Sequence, residues 1–139
     1  MMKYFTTVIT ISALIFTTVS CGKYEEGPNL SLKTKKARLT NKWVVDEMFL
    51  DGVELSVSVP EIDGFTEIKK NGDYRIYYED RYVTWDNIGT WEFYDSKKKL
   101  IVTFDTDSDI LTILKLVETE LWVSERTGLG VLETRYRPH

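Results

Sequence analysis

The sequence predicts an all-β protein: an antiparallel up-and-down meander, closing into a barrel of about eight to nine strands behind a short N-terminal helix. Three observations predict it. From Lys42 onward no apolar period longer than one helical turn occurs. In its place come short runs rich in Val, Ile, Tyr, Phe, Trp and Thr, the residues that suit a half-buried pleated surface. Turn residues separate the runs at short intervals, and short loops join only antiparallel neighbours. A long meander with one apolar face either closes on itself or stacks into a sandwich, and closure removes the exposed strand edges.

Taken in order, residues 1–20, "MMKYFTTVITISALIFTTVS", carry one cation, Lys3, and then run uncharged to Ser20. The apolar heart has the length of a signal-peptide core and falls short of the roughly 20 apolar residues a spanning helix needs. The segment ends at Cys21, the single cysteine, which has no partner for a disulfide. Residues 21–30 are polar and acidic at first, too poor in apolar surface to order themselves, and read as a tether. The domain proper is expected over 31–139. Leu32, Ala37 and Leu39 form one side of a short amphipathic turn with Ser31 as its cap, which leaves Lys33, Lys35, Lys36 and Arg38 as a solvated face.

The strands follow. "KWVVDEMFL" ends at the hairpin pair Asp51-Gly52, and "VELSVSV" alternates up to Pro60. "FTEIKKNGDYRIYY" turns at Asn71-Gly72. Tyr74, Ile76 and Tyr78 then share one face, with Arg75 and Tyr77 on the other. "RYVTWDNIG" reads as an irregular, aromatic stretch at the barrel mouth. "WEFYDSKKKLIVTF" turns through Asp95 to Lys98, "DTDSD" makes the next turn, and "ILTILKL", "ELWVSER" and "VLETRYR" complete the meander.

Two resemblances sharpen this reading. "TVSC" resembles the bacterial lipobox, in which small and aliphatic residues precede an invariant cysteine; Thr18 stands where leucine is usual. The resemblance implies that residues 1–20 are a lipoprotein signal peptide. It also implies that Cys21 is acylated, with palmitate-type chains holding the protein to a membrane, since several acyl chains anchor stably where one is marginal. "KYEE" is similar to the acidic stretch that directs some Bacteroidetes lipoproteins to the cell surface. The second resemblance is to lipocalin-like (calycin-like) domains, and it covers most of Lys42 to Val123. "LTNKWVVDEMFLDG" resembles their opening, with a tryptophan at the first strand. "FTEIKKNGDYRIYY", "GTWEFYDSKKKLIVTF" and "LTILKLVETELWV" resemble later landmarks in the same order. Asn41 stands where lipocalins proper have glycine, and asparagine tolerates the left-handed backbone glycine often serves. The set resembles the small lipocalin-like lipoproteins of Bacteroidetes. It implies an outer-membrane lipoprotein of the bacterial envelope, on the periplasmic or the exposed side.

The chemistry the sequence offers is sparse. The one histidine, His139, is the last residue, which argues against a Ser-His-Asp or Cys-His site and against a zinc centre built on His and Cys. No metal or cofactor is expected, and no enzyme activity. Asp105, Asp107 and Asp109 alternate like the start of a calcium loop, but Ile110 and Leu116 stand where that loop needs Gly and Glu. They read as an acidic hairpin tip. The formal net charge of −4 gives no basic patch for nucleic acid. The aromatics are the best clue. Tyr74, Tyr78, Tyr82 and Trp85 are the candidate ligand contacts, with Tyr82 and Trp85 at the mouth and Trp91 in the wall. Two functions follow: a carrier holding a small apolar ligand in the barrel, or a filled barrel that displays its loops to an envelope protein.

Overall fold

The computed structural model describes residues 33–56 and 63–139, without the side chain of Asp63. The signal peptide, Cys21, the tether, Ser31 and the second half of "VELSVSV" lie outside the described residues. A five-residue helix, α1 (Lys35–Leu39), leads into nine strands: β1 (Asn41–Leu50), β2 (Val53–Leu55), β3 (Asp63–Ile68), β4 (Asp73–Glu79), β5 (Thr84–Tyr94), β6 (Lys99–Phe104), β7 (Asp107–Leu116), β8 (Leu121–Thr127) and β9 (Gly130–Pro138). Each strand from β3 onward pairs antiparallel with the next, and β9 returns to pair with β1 from Trp43–Pro138 to Leu50–Leu132. The result is a closed eight-stranded, calycin-like barrel. β2 is the additional strand. It pairs with Met48–Leu50 of β1, while β3 pairs with the Asn41–Trp43 end of the same strand.

Turn chemistry sets the meander. Asp51 and Gly52 both take positive φ (48° and 82°) in a two-residue hairpin, the left-handed geometry a tight turn between right-twisted strands needs. The Asp51 carboxylate also accepts from the Val131 amide at 2.9 Å, which ties this turn to the hairpin at Gly128 and Leu129. At the other end, Asn71 caps its turn by accepting from the Asp73 amide. Asn41 does not use the left-handed conformation: it begins β1 extended, and its side chain accepts from the Lys42 amide.

Two expectations for the helix are corrected. Its N-cap is Thr34, whose hydroxyl accepts from the Ala37 amide at 3.1 Å. The basic residues are not all solvated either. Lys35 and Arg38 are buried along with Leu39, whereas Ala37 is exposed. The helix lies across the barrel end, so its inward face takes these long basic side chains, and the Arg38 guanidinium itself is partly enclosed, with Nε and Nη1 buried without a partner among the described residues. Lys35 donates to the carbonyl of Lys97 in the β5–β6 turn, and Lys33 pairs with Glu118 in the β7–β8 loop.

The end under α1 is the closed one. Trp43 and Leu39 are fully buried there, and the Trp43 indole donates to the Leu39 carbonyl at 2.9 Å. Trp91 donates to the Lys69 carbonyl at 2.8 Å, and Leu100, Leu116 and Leu121 complete the layer. Among the described residues no helix is long and apolar enough to cross a membrane.

Candidate functional site

Alternation along a strand sends every second side chain inward, and register carries the assignment from strand to strand. Tyr74, Ile76 and Tyr78 of β4 lie opposite Gly89, Asn87 and Trp85 of β5. On β5, Trp85 is therefore in phase with Trp91, which is buried in the core. Tyr78 and Trp85 stack with centroids 6.3 Å apart and ring planes 12° apart. The pair sits at the end away from α1, and Trp85 is 50% exposed. This places an apolar aromatic step at the inner rim of the open end.

The stretch read as an irregular loop is largely strand. Only residues 80–83 form the turn, and β5 begins at Thr84. The turn is closed locally: the Asp80 carboxylate accepts from the amides of Tyr82 and Val83, both at 2.7 Å. An Asx-type bond of this kind makes a compact corner, which frees the residues behind it to pair. Tyr82 is the turn's tip and is 86% exposed, apart from the Tyr78–Trp85 stack. Tyr74 lies deeper. It is buried, and its ring meets Phe104 edge-on at 5.9 Å. Gly89 makes this contact possible. A Cβ there would collide with the Phe104 ring and the Thr103 carbonyl, so the wall is thinned at that point to admit the ring.

"DTDSD" is likewise shorter as a turn than expected. Asp105 (φ 50°) and Thr106 make a two-residue turn, and β7 starts at Asp107. Asp107 and Asp109 stand opposite Phe104 and Val102, on the strand face that carries Leu111 inward. On β8, Leu121 and Val123 are core residues, and Glu125 is next on the same face. Three carboxylates thus share the inward phase of the open half, Asp107 and Asp109 exposed at the rim and Glu125 half-buried. Burial, followed by the negative charge of Asp109, raises the Glu125 carboxyl above its ordinary value. Two tyrosines lie beneath. Burial raises the Tyr136 hydroxyl to about 12, against a hydrogen bond from its neighbour Thr66, and burial also lifts Tyr74 well above its ordinary value. Among the described residues no group of three or more His, Cys, Asp or Glu side chains is arranged to hold a metal ion.

The outer wall is different in kind. Arg75 pairs with both oxygens of Asp86 at 2.8 and 2.9 Å and lies over Phe65 and Tyr77, which stack at 5.2 Å. Arg135 lies between Phe49 and Trp122 and bonds Glu133 and Glu47. A groove of about 330 Å³ on this wall runs past Gly72, Thr90, Glu92 and Thr103, away from the open end.

Of the residues proposed from the sequence, Tyr78 and Trp85 are brought together, Tyr74 lies below them, and Tyr82 stands apart on the turn. Sequence reasoning passed over Phe104, Glu125 and Tyr136, and read Asp107 and Asp109 as a hairpin tip where they are strand. The alternation of Leu121, Val123 and Glu125 already carried the signal for Glu125. No protein-family model matches the chain, and no curated protein matches it significantly.

Proposed function

We propose that the protein is a lipocalin-like lipoprotein of the bacterial outer membrane, anchored through acyl chains on Cys21, that binds a small apolar ligand at the open end of its barrel. It acts by binding and not by catalysis, without metal, cofactor or nucleic acid. The anchor rests on the sequence: an uncharged apolar run, "TVSC", then a polar tether. The ligand site rests on one observation, the stacked Tyr78–Trp85 pair on the inner rim with half of Trp85 open to solvent. A large aromatic surface left uncovered beside a concave, closed-bottomed barrel is what an apolar ligand covers.

Titration of the chain from residue 21 onward with an environment-sensitive apolar dye tests the reading. Binding with a shift of tryptophan emission is expected, weakened by Trp85→Ala. Absence of dye binding to the parent chain would overturn it. A second reading, a display module for an envelope protein, is favoured by the exposed apolar side chains of Tyr82, Val83 and Ile88 on and beside the β4–β5 turn. It becomes the better one if the dye does not bind.

A further inference from the structure

Charge is divided between the two ends of the barrel. At the closed end α1 carries Lys35, Lys36 and Arg38, the β3–β4 turn carries Lys69 and Lys70, and the β5–β6 turn carries Lys97 and Lys98. The carboxylates in the connections at that end are Asp95, Glu118 and Glu120, and each already faces another cation: Lys99, Lys33 and Lys115 respectively. At the open end the balance is reversed. Among the described residues its connections carry Asp51, Asp80 and Asp105 against one cation, Arg81.

The cations of the closed end share one surface. Lys35 donates to the Lys97 carbonyl, which ties the helix to the β5–β6 turn. The Lys36 ammonium lies 5.7 Å from the centre of the Trp91 ring. The Trp91 amide donates to the Gly72 carbonyl at 2.9 Å, which brings the β3–β4 turn alongside. Lys36, Lys70, Lys97 and Lys98 are exposed, and among the described residues none of them pairs with a carboxylate.

Two further observations are independent of these lysines. Arg38 is 8% exposed, and its Nε and Nη1 are enclosed with no hydrogen-bond partner among the described residues. An enclosed guanidinium ordinarily has an acceptor, because burying its charge alone is costly. Here its charge stays uncancelled at the same end. The other observation is where the chain enters. The described chain begins at Lys33, at the closed end, and residues 21–32 join it to Cys21 over at most about 40 Å. Turning the open end to an anchor at Cys21 would spend nearly all of that length on the barrel wall, since the ten residues of β1 alone run about 34 Å.

We propose that the closed end is a docking surface for the phosphate headgroups of an anionic bilayer. Lys36, Lys70, Lys97 and Lys98 lie against the headgroups, the Arg38 charge adds to theirs, and the acidic open end points away from the membrane. The ligand of the carrier reading then enters from the aqueous side. The orientation rests on the anchor at Cys21, whereas the surface itself needs no acyl chain. The chains hold the protein at the bilayer, and the cations decide which end meets it. Each cation near an anionic leaflet is worth about fivefold in partitioning.

The test uses the chain from residue 21 onward, unacylated, which contains every described strand, the capping helix and the core. It is mixed with vesicles of phosphatidylcholine alone, or with about 30% phosphatidylglycerol to supply an anionic surface. Bound protein is measured by flotation. Binding to the anionic vesicles and not to the neutral ones is expected, and it should be lost near 1 M salt, where screening acts within about 3 Å. Lys36→Gln, Lys70→Gln and Lys98→Gln should each weaken it about fivefold, and together about a hundredfold. Arg38→Met should weaken it by a similar factor while the urea midpoint holds or rises, because an unpaired enclosed charge opposes folding. Arg81→Gln, at the open end, should leave binding unchanged. Equal binding to both kinds of vesicle, binding to neither, or indifference to the triple lysine substitution overturns the docking surface. Fatty-acid labelling at Cys21 is read separately, so the anchor stands or falls on its own result.

Discussion

Removing the Trp43 side chain is the sharpest test of the closed end. Trp43 is fully buried, and it is the first inward residue of β1. Its ring fills the space between the barrel floor and α1, and its indole N–H is held by the carbonyl of Leu39, which is itself fully buried. Truncating a buried tryptophan to alanine costs about 3–5 kcal/mol in transfer and cavity terms. The unpaired Leu39 carbonyl adds about 1–3 kcal/mol where water does not reach it. Trp43→Ala should therefore destabilise by about 4–6 kcal/mol, allowing for overlap between the two terms. A domain of this size is stable by about 5–15 kcal/mol, so this one substitution brings it near its folding limit. Trp43→Phe gives a second reading in case alanine unfolds the chain. It keeps most of the ring and loses the N–H, for an expected cost of about 1–3 kcal/mol. Urea unfolding of the chain from residue 21, followed by far-UV circular dichroism, measures both. A loss under about 1 kcal/mol for Trp43→Ala would mean that helix and floor are not joined through this ring, and the account of the closed end would fall.

Further outcomes follow from other parts of the barrel. Trp91→Ala should destabilise by about 3–5 kcal/mol, while Trp85→Ala, half exposed at the rim, should leave the urea midpoint nearly in place and weaken dye binding. Gly89→Ala should cost about 1–3 kcal/mol in urea, because its methyl group displaces the Phe104 ring and strains the wall. Glu125 has a raised carboxyl, so its ionised form opposes folding. Glu125→Gln should raise the urea midpoint at neutral pH, with the gain vanishing as pH falls through the raised value toward the ordinary 4.5. Cys21→Ala should abolish metabolic labelling by a fatty-acid analogue and release the protein from the membrane fraction or stall its maturation, whereas an unlabelled but normally exported parent would remove the anchor from the proposal.

The fold was legible in the sequence because its signals were local. Asp51-Gly52 and Asn71-Gly72 mark turns through residues that accept positive φ or cap their own backbone, and the Leu100, Val102, Phe104 alternation marks a wall. The site was less legible because rim residues do not look like core or loop. Trp85 lies among Thr84, Asp86 and Asn87, a polar setting that reads as loop, and only pairing with β4 shows it as strand. Asp107 and Asp109 mislead in the same way, because acidic residues near a turn suggest the turn itself. Lys35 and Arg38 read as solvated since charge usually is, and only the helix's place across the barrel end buries them.

The two halves of the barrel make a single argument about what it is for. The same inward positions that hold Trp43, Trp91, Leu100, Leu116 and Leu121 near α1 hold Asn87, Asp107, Asp109, Glu125 and Thr127 near the other end. A barrel selected for stability alone would continue the apolar ladder to both rims, since each buried leucine or valine contributes about 1.5–3 kcal/mol and the partly buried Glu125 carboxylate opposes folding. Here polar groups replace the ladder on β5, β7 and β8, while Leu50 and Leu132 continue it on β1 and β9. Tyr74 and Thr134, both buried, lie at the transition, with Tyr136 partly buried between Thr134 and the floor. Stability is therefore concentrated under the helix, in the layer that Trp43 closes. That division is the physical ground for looking for a ligand at Trp85 and not on the outer wall, where Arg75 and Arg135 already have carboxylate partners.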